Sequence, residues 1–95
     1  MIRNFADKET KKIYNQKFSQ KILQLIQKVA LRKLIMLDSA ESINDLRVPP
    51  ANHLEQLVGD RAGQYSIKIN AQYRICFSVK GQNDFINVEI VDYHR

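Results

Sequence analysis

"GQYSIKINAQYRICFSV", residues 63–79, is the stretch whose reading decides the fold. It holds two runs of alternating character joined by Asn70, Ala71 and Gln72. In the first run Tyr65, Ile67 and Ile69 share a side; in the second Tyr73, Ile75, Phe77 and Val79 do. A period of two is that of an extended chain, whose successive side chains point to opposite faces. The polar joint between the runs suits a turn, so the stretch predicts an antiparallel pair. One face of that pair is apolar. The other carries Ser66, Lys68, Arg74, Cys76 and Ser78.

A sheet with one apolar face needs something to cover it. The first half of the chain supplies the cover. In "QKILQLIQKVALRKLIMLDSA", residues 20–40, Ile22, Ile26, Val29, Lys33 and Leu37 recur at three and four, with Leu23, Ala30 and Leu34 beside them. That spacing marks an amphipathic helix over about 20–39, with Ser19 as a possible cap. Asp7 is a plausible cap for an earlier helix over 7–17, and "IRNF", residues 2–5, reads as a short opening strand.

Pro49-Pro50 removes two backbone donors and stops regular structure. Beyond it "HLEQLV" alternates, "GDRAG" is a turn bracketed by Gly59 and Gly63, and "KGQND" turns into a last strand, "FINVEIVDYH". The expected architecture is α+β: two N-terminal helices packed on a curved antiparallel sheet formed by residues 53–93. Leu23, Ile26, Ala30, Leu34, Ile67, Ile75 and Phe77 should lie in its core. Ninety-five residues make a single domain spanning 1–95.

Composition bounds the function. A hydrophobic fraction of 44% with 26% charged residues is that of an ordinary soluble globule. No apolar run is long enough to cross a membrane, and the opening residues lack the apolar core of a signal peptide. Cys76 stands alone, so no internal disulfide forms, and a cytoplasmic location is expected. The net charge of +5 is uneven: residues 1–38 carry nine Lys or Arg against three acids, residues 39–95 six against seven. A basic first half favours a polyanionic partner such as nucleic acid, although solvated helix lysines give the same count.

His53, His94 and Cys76 have no metal-ligand spacing, and there is neither a Gly-rich phosphate loop nor a nucleophile elbow. No metal or cofactor is expected. An acid–base and cation set remains: Glu55, Arg61, Lys68, Arg74, Asp92, Tyr93, His94 and Arg95. RNA cleavage suits such a set because the substrate carries its own nucleophile, the 2′-OH. An imidazole can move the protons, guanidinium groups can hold the phosphate and aromatic rings can stack on bases. In the last strand, period two puts Asp92 and His94 with Val88 and Ile90 on the core side. Tyr93 falls on the other face.

"DLRVPPANHLEQL", "GDRAGQYSI", "NAQYRICF" and "VEIVDYH", with "RKLIMLDSA" at the end of the second helix, resemble the HigB family of toxins within the RelE superfamily. Residues 1–20 match only loosely. The resemblance implies a RelE-like toxin fold and a ribosome-dependent endoribonuclease that cuts messenger RNA in the ribosomal A site. It also implies a HigA-like helix-turn-helix antitoxin as partner, with operator DNA met only through the toxin–antitoxin complex. It places Asp92, Tyr93 and His94 in the active site, Arg74 at the scissile phosphate and Arg61 at a second phosphate contact. Where some relatives have a histidine and a lysine, this chain has Glu55 and Val58, which makes Glu55 the provisional base. His53 would point away from that slot. Lys68 on the polar sheet face, and Lys28, Arg32 and Lys33 along the long helix, are further candidates for RNA contact. Two other readings remain open. One is a ribosome- or RNA-binding module without catalysis; the other is an antitoxin-binding protein without nuclease activity.

Overall fold

Residues 1–22 and 24–93 are described by the structure, a computed structural model. Expectations that fall on Leu23, His94 and Arg95 lie outside the described residues. Helix α1 spans Lys8–Tyr14 and α2 spans Gln24–Ser39, followed by short 3-10 turns at Ile43–Arg47 and Pro50–Asn52. Strands β1 (Glu55–Gln56), β2 (Gln64–Lys68), β3 (Tyr73–Lys80) and β4 (Asp84–Asp92) form one antiparallel sheet in sequence order. A further 3-10 turn, Gly59–Arg61, lies between β1 and β2. The α+β layout expected from the alternation is the one found.

The apolar face meets the long helix as its spacing requires. Ile26, Ala30, Leu34 and Leu37 of α2 pack in one core with Ile67, Ile75, Phe77, Phe85 and Val88 from three strands. Phe77 meets Phe85 edge-on, with ring centroids 5.5 Å apart. Ile75 is fully buried. Its replacement by Ala should cost about 2–5 kcal/mol, read as a lower urea midpoint with an unchanged slope.

Asp7 caps α1, its carboxylate accepting from Thr10 N at 3.1 Å and from the Thr10 hydroxyl at 2.6 Å. The same hydroxyl accepts from Ile90 N at 3.0 Å, which fixes α1 against β4. Ser19 does not cap α2. It is buried, donates to Glu9 Oε1 at 2.6 Å, and accepts from Lys21 N at 3.2 Å. The Gln27 amide supplies the local ties instead, donating to the carbonyls of Ser19 and Ile22 at 2.7 Å each. The opening residues make isolated parallel bridges, Ile2 to Phe85 and Phe5 to Val88, along the free edge of β4.

Two features were hidden from the pattern. The first is a bulge in β4: Cys76 lies opposite Glu89 and Ser78 opposite Ile86, so β4 carries one extra residue there. Asn87 takes it up with φ 54. Its side-chain oxygen accepts from Asn4 Nδ2 at 3.1 Å, and its main-chain amide donates to Asn4 Oδ1 at 2.8 Å. The bulge switches parity, so that Phe85 and Val88 both enter the core. The second is "HLEQLV", which contributes only the two residues of β1. His53 is not in a strand. It closes the Pro50–Asn52 turn in the left-handed region, with φ 44 and ψ 56.

Candidate functional site

The helices cover one face of the sheet, and the candidate site is built on the other. Register sets its rows. Glu55 lies opposite Ser66, Ser66 opposite Cys76, and Cys76 opposite Glu89, so one row crosses all four strands. The next row is Lys68, Arg74 and Val91. Beyond the bulge the parity of β4 sends Glu89 and Val91 to this face. Tyr93 follows them, its hydroxyl 3.6 Å from Cys76 Sγ.

Arg74 is at the centre. Its side chain is only 11% exposed. Nε donates to the buried Ser66 hydroxyl at 2.7 Å, and Nη2 donates to the carbonyl of His53. Nη1 is 3.9 Å from Glu55 Oε1. Glu55 is more than half exposed, so this contact is a loose, solvated one. Arg61 stands across the same face. Its Nη1 donates to Gln64 Oε1 at 3.0 Å and to Glu89 Oε1 at 3.2 Å.

The thiol and the phenol at the centre both stay neutral. Burial pushes the Cys76 thiol up, opposed by its contact with Tyr93 and by the arginines. Burial likewise raises the Tyr93 phenol, with the Cys76 contact adding to it, while Arg61 and Arg74 pull it down. Tyr93 is therefore a hydrogen-bond donor or stacking group at neutral pH, not a base. A buried neutral thiol reacts slowly. Cys76 should resist alkylation in the native protein at neutral pH and react rapidly once urea unfolds the chain. Fast labelling of the native protein would contradict this placement.

Of the residues expected at the site, Arg74, Tyr93, Arg61, Lys68 and Glu55 share this face. Asp92 does not: it is exposed, and Gln72 Nε2 donates to both of its carboxylate oxygens at 3.1 Å. Backbone parity separates it from Arg74, as period two predicts. His94 lies outside the described residues. Lys28 and Arg32 are exposed on α2, the helix that covers the opposite face of the sheet.

Lys33 is a correction. The sequence suggests a surface cation beside Lys28 and Arg32, but Lys33 is 5% exposed and its ammonium donates to the Asn52 side-chain carbonyl. Its spacing explains why: Lys33 falls within the stripe that runs through Ile26, Ala30 and Leu37. Desolvation first, and then the nearby Arg32, hold its pKa below the usual lysine range. It cannot reach an RNA backbone from there.

Sequence reasoning missed Ser66, Glu89 and the His53 carbonyl as parts of the site. Ser66 and Glu89 were legible as members of the polar face, but only the register puts them beside the two arginines. The carbonyl left no signal, because any residue has one. Among the described residues no group of three or more His, Cys, Asp and Glu is placed to hold a metal ion. No helix among them is long and apolar enough to cross a membrane.

Two helices lie on a four-stranded antiparallel sheet, with arginines and a tyrosine gathered on the face they leave uncovered. The fold is shared with a chain of the YoeB-YefM complex from Staphylococcus aureus, at a TM-score of 0.57 and 18% identity, covering 100% of this chain and 99% of that one. A family model for HigB-like toxins, described as RelE-like toxins of type II toxin-antitoxin systems, matches residues 3–94. Toxin HigB-1 of Vibrio cholerae is 40% identical over 78 residues, covering 81% of this chain and 82% of that protein. A Haemophilus influenzae protein described only as uncharacterized is 46% identical over 74 residues, covering 78% of this chain and 71% of its own length. The chain belongs to the HigB-like toxin family.

Proposed function

We propose that this toxin is a ribosome-dependent endoribonuclease that cuts messenger RNA in the ribosomal A site. The observation that carries the reading is the Arg74 guanidinium, held on an open sheet face with Tyr93 and Arg61 around it. A fixed guanidinium offers paired donors to phosphate oxygens and keeps its charge at any relevant pH. In the reaction the 2′-oxygen attacks phosphorus, its proton leaves to a base, and the bond to the 5′-oxygen breaks as that oxygen is protonated. The products are a 2′,3′-cyclic phosphate and a 5′-hydroxyl. No metal is needed, because the nucleophile is built into the substrate.

Arg74 stabilises the phosphorane, with Arg61 and Lys68 as further phosphate contacts. Tyr93 orients the nucleotide by stacking or by donating from its neutral hydroxyl. His94, the imidazole of the matching motif, serves as general acid. Glu55 is the base: it is solvated and close to Arg74, which suits a carboxylate that must meet an incoming 2′-OH. Asp92 faces away from Arg74, so its role is to hold the end of β4 through Gln72. A HigA-like helix-turn-helix antitoxin is the proposed partner, which fits membership of a family of toxins from type II toxin-antitoxin systems. Operator DNA would be met through that complex, and a cytoplasmic location follows from a ribosomal target.

The test is cleavage of a defined message on translating ribosomes, with 5′ ends mapped at the A-site codon. Defined ends at that codon that carry a 5′-hydroxyl support the reading. Binding without cleavage would favour a ribosome-binding module instead. His94→Gln should abolish growth arrest while antitoxin binding is kept, and Glu55→Gln should slow cleavage.

Lys28 and Arg32 are proposed to touch ribosomal RNA at a place separate from the cut, since they lie on the helical side. Removing one phosphate-neutralising cation should reduce the salt slope of binding by about one. Neutralising both residues should weaken ribosome association, measured by sedimentation at several salt concentrations, without changing the rate of the bound complex. An unchanged salt slope would make them ordinary solvated charges.

A further inference from the structure

We propose that Ser66 is a positioning residue for Arg74, acting together with the main-chain carbonyl of His53. The proposal rests on the reading of Arg74 as the phosphate-binding group. Ser66 is fully buried in the middle of β2, where a sheet this small ordinarily places an apolar or β-branched residue. Its hydroxyl accepts from Arg74 Nε at 2.7 Å. The carbonyl of His53 takes Nη2 from another direction. Two acceptors on different edges of one planar group fix both its place and its tilt. Nη1 is thereby presented toward Glu55 and the open face.

The carbonyl is itself held in place. His53 adopts the left-handed region, and its amide donates to Pro50 O at 3.0 Å. The preceding Asn52 is fully buried. Its side-chain amide donates to the carbonyls of Leu46 and Val48 at 3.0 and 3.5 Å, while its oxygen accepts from the Lys33 ammonium. A backbone conformation that a residue with a side chain rarely adopts, anchored by a buried lysine, delivers one oxygen to one guanidinium. The alternative partner for Arg74, Glu55, is the loosest of the contacts. The guanidinium is thus oriented by neutral groups that do not compete for its charge, which leaves that charge for a phosphate.

Two measurements decide it. In the free protein the Arg74 Nε–H resonance should be rigid and slow to exchange with solvent, and Ser66→Ala should make it mobile and fast. That readout needs no nuclease activity. On ribosomes, Ser66→Ala should lower the single-turnover cleavage rate about tenfold with the half-saturating ribosome concentration unchanged. Ser66→Thr, which keeps the hydroxyl, should restore most of it. In an Arg74→Lys background, which lacks Nε, Ser66→Ala should have no further effect. An equally rigid Arg74 in Ser66→Ala, or a loss that adds fully to that of Arg74→Lys, overturns the proposal. If the unaltered toxin cuts nothing on ribosomes, the endoribonuclease reading fails, and the resonance alone still decides whether Ser66 holds Arg74.

Discussion

Arg74→Ala should reduce cleavage on the ribosome by about a hundredfold or more, the usual loss when one well-placed donor to a developing anion is removed. Geometry makes the effect large. The guanidinium is almost covered by protein, yet two of its nitrogens are satisfied by neutral oxygens, and its remaining edge faces the open side. Its charge acts at short range in a partly dry setting, where it is worth more than in water. The substitution should leave the fold standing, because Arg74 lies on the face that the hydrophobic core does not use. It orphans the Ser66 hydroxyl, a cost of about 1–3 kcal/mol to be read from urea unfolding. Arg74→Lys should recover little, since an ammonium cannot match both acceptors and a phosphate at once. Near-normal cleavage by Arg74→Ala, with stability preserved, would move the chemistry elsewhere.

Asn52→Ala should have the largest effect on stability of any polar substitution discussed, about 3–5 kcal/mol, because a buried ammonium and a buried carbonyl each lose their hydrogen-bond partner. In a domain whose total stability is about 5–15 kcal/mol, that approaches unfolding. Lys33 would keep its charge in a buried place without its acceptor, and the carbonyls of Leu46 and Val48 would lose their donor. The pH dependence has a definite sign. Lys33 already has a folded pKa below its unfolded one. Between those two values the unfolded chain holds a proton that the native chain has released, so stability rises with pH there. Removing Asn52 should lower the folded value further and widen that window toward neutrality. Urea midpoints for Asn52→Ala should therefore climb more steeply with alkaline pH than those of the unaltered protein. A flat profile would mean that Lys33 reaches solvent when Asn52 is gone.

Residues 64–79 could be read directly, because alternation in a half-covered sheet records which side faces the core. The helix over α2 was legible for the same reason, including the membership of Lys33 in its apolar stripe. What could not be read was that a lysine in such a stripe would be buried with an amide, not swung to the surface. That depends on Asn52 arriving from a separate turn. The bulge at Asn87 was equally hidden, because one inserted residue changes parity without disturbing composition. Parity still separates Tyr93 from Asp92, because the bulge precedes both. Arg74, Tyr93 and Arg61 came from the family resemblance together with strand parity. Ser66, Glu89 and the His53 carbonyl needed register and turn geometry, which are long-range properties.

The bridges of Ile2 and Phe5 to β4 join residues more than eighty positions apart, as do the bonds from Met1 to Asn83 and from Arg3 to Asp84. Closing so long a loop is entropically costly and gives nothing back until both segments are in place. The opening segment should therefore dock late, after the hairpin of β2 and β3 and the packing of α2. Until it does, β4 presents an unpaired edge to any other extended chain, the condition under which partly folded proteins associate. Refolding at rising protein concentration should lose yield. A variant with Ile2 and Phe5 replaced by Ser should lose it sooner, even where its finished sheet still forms.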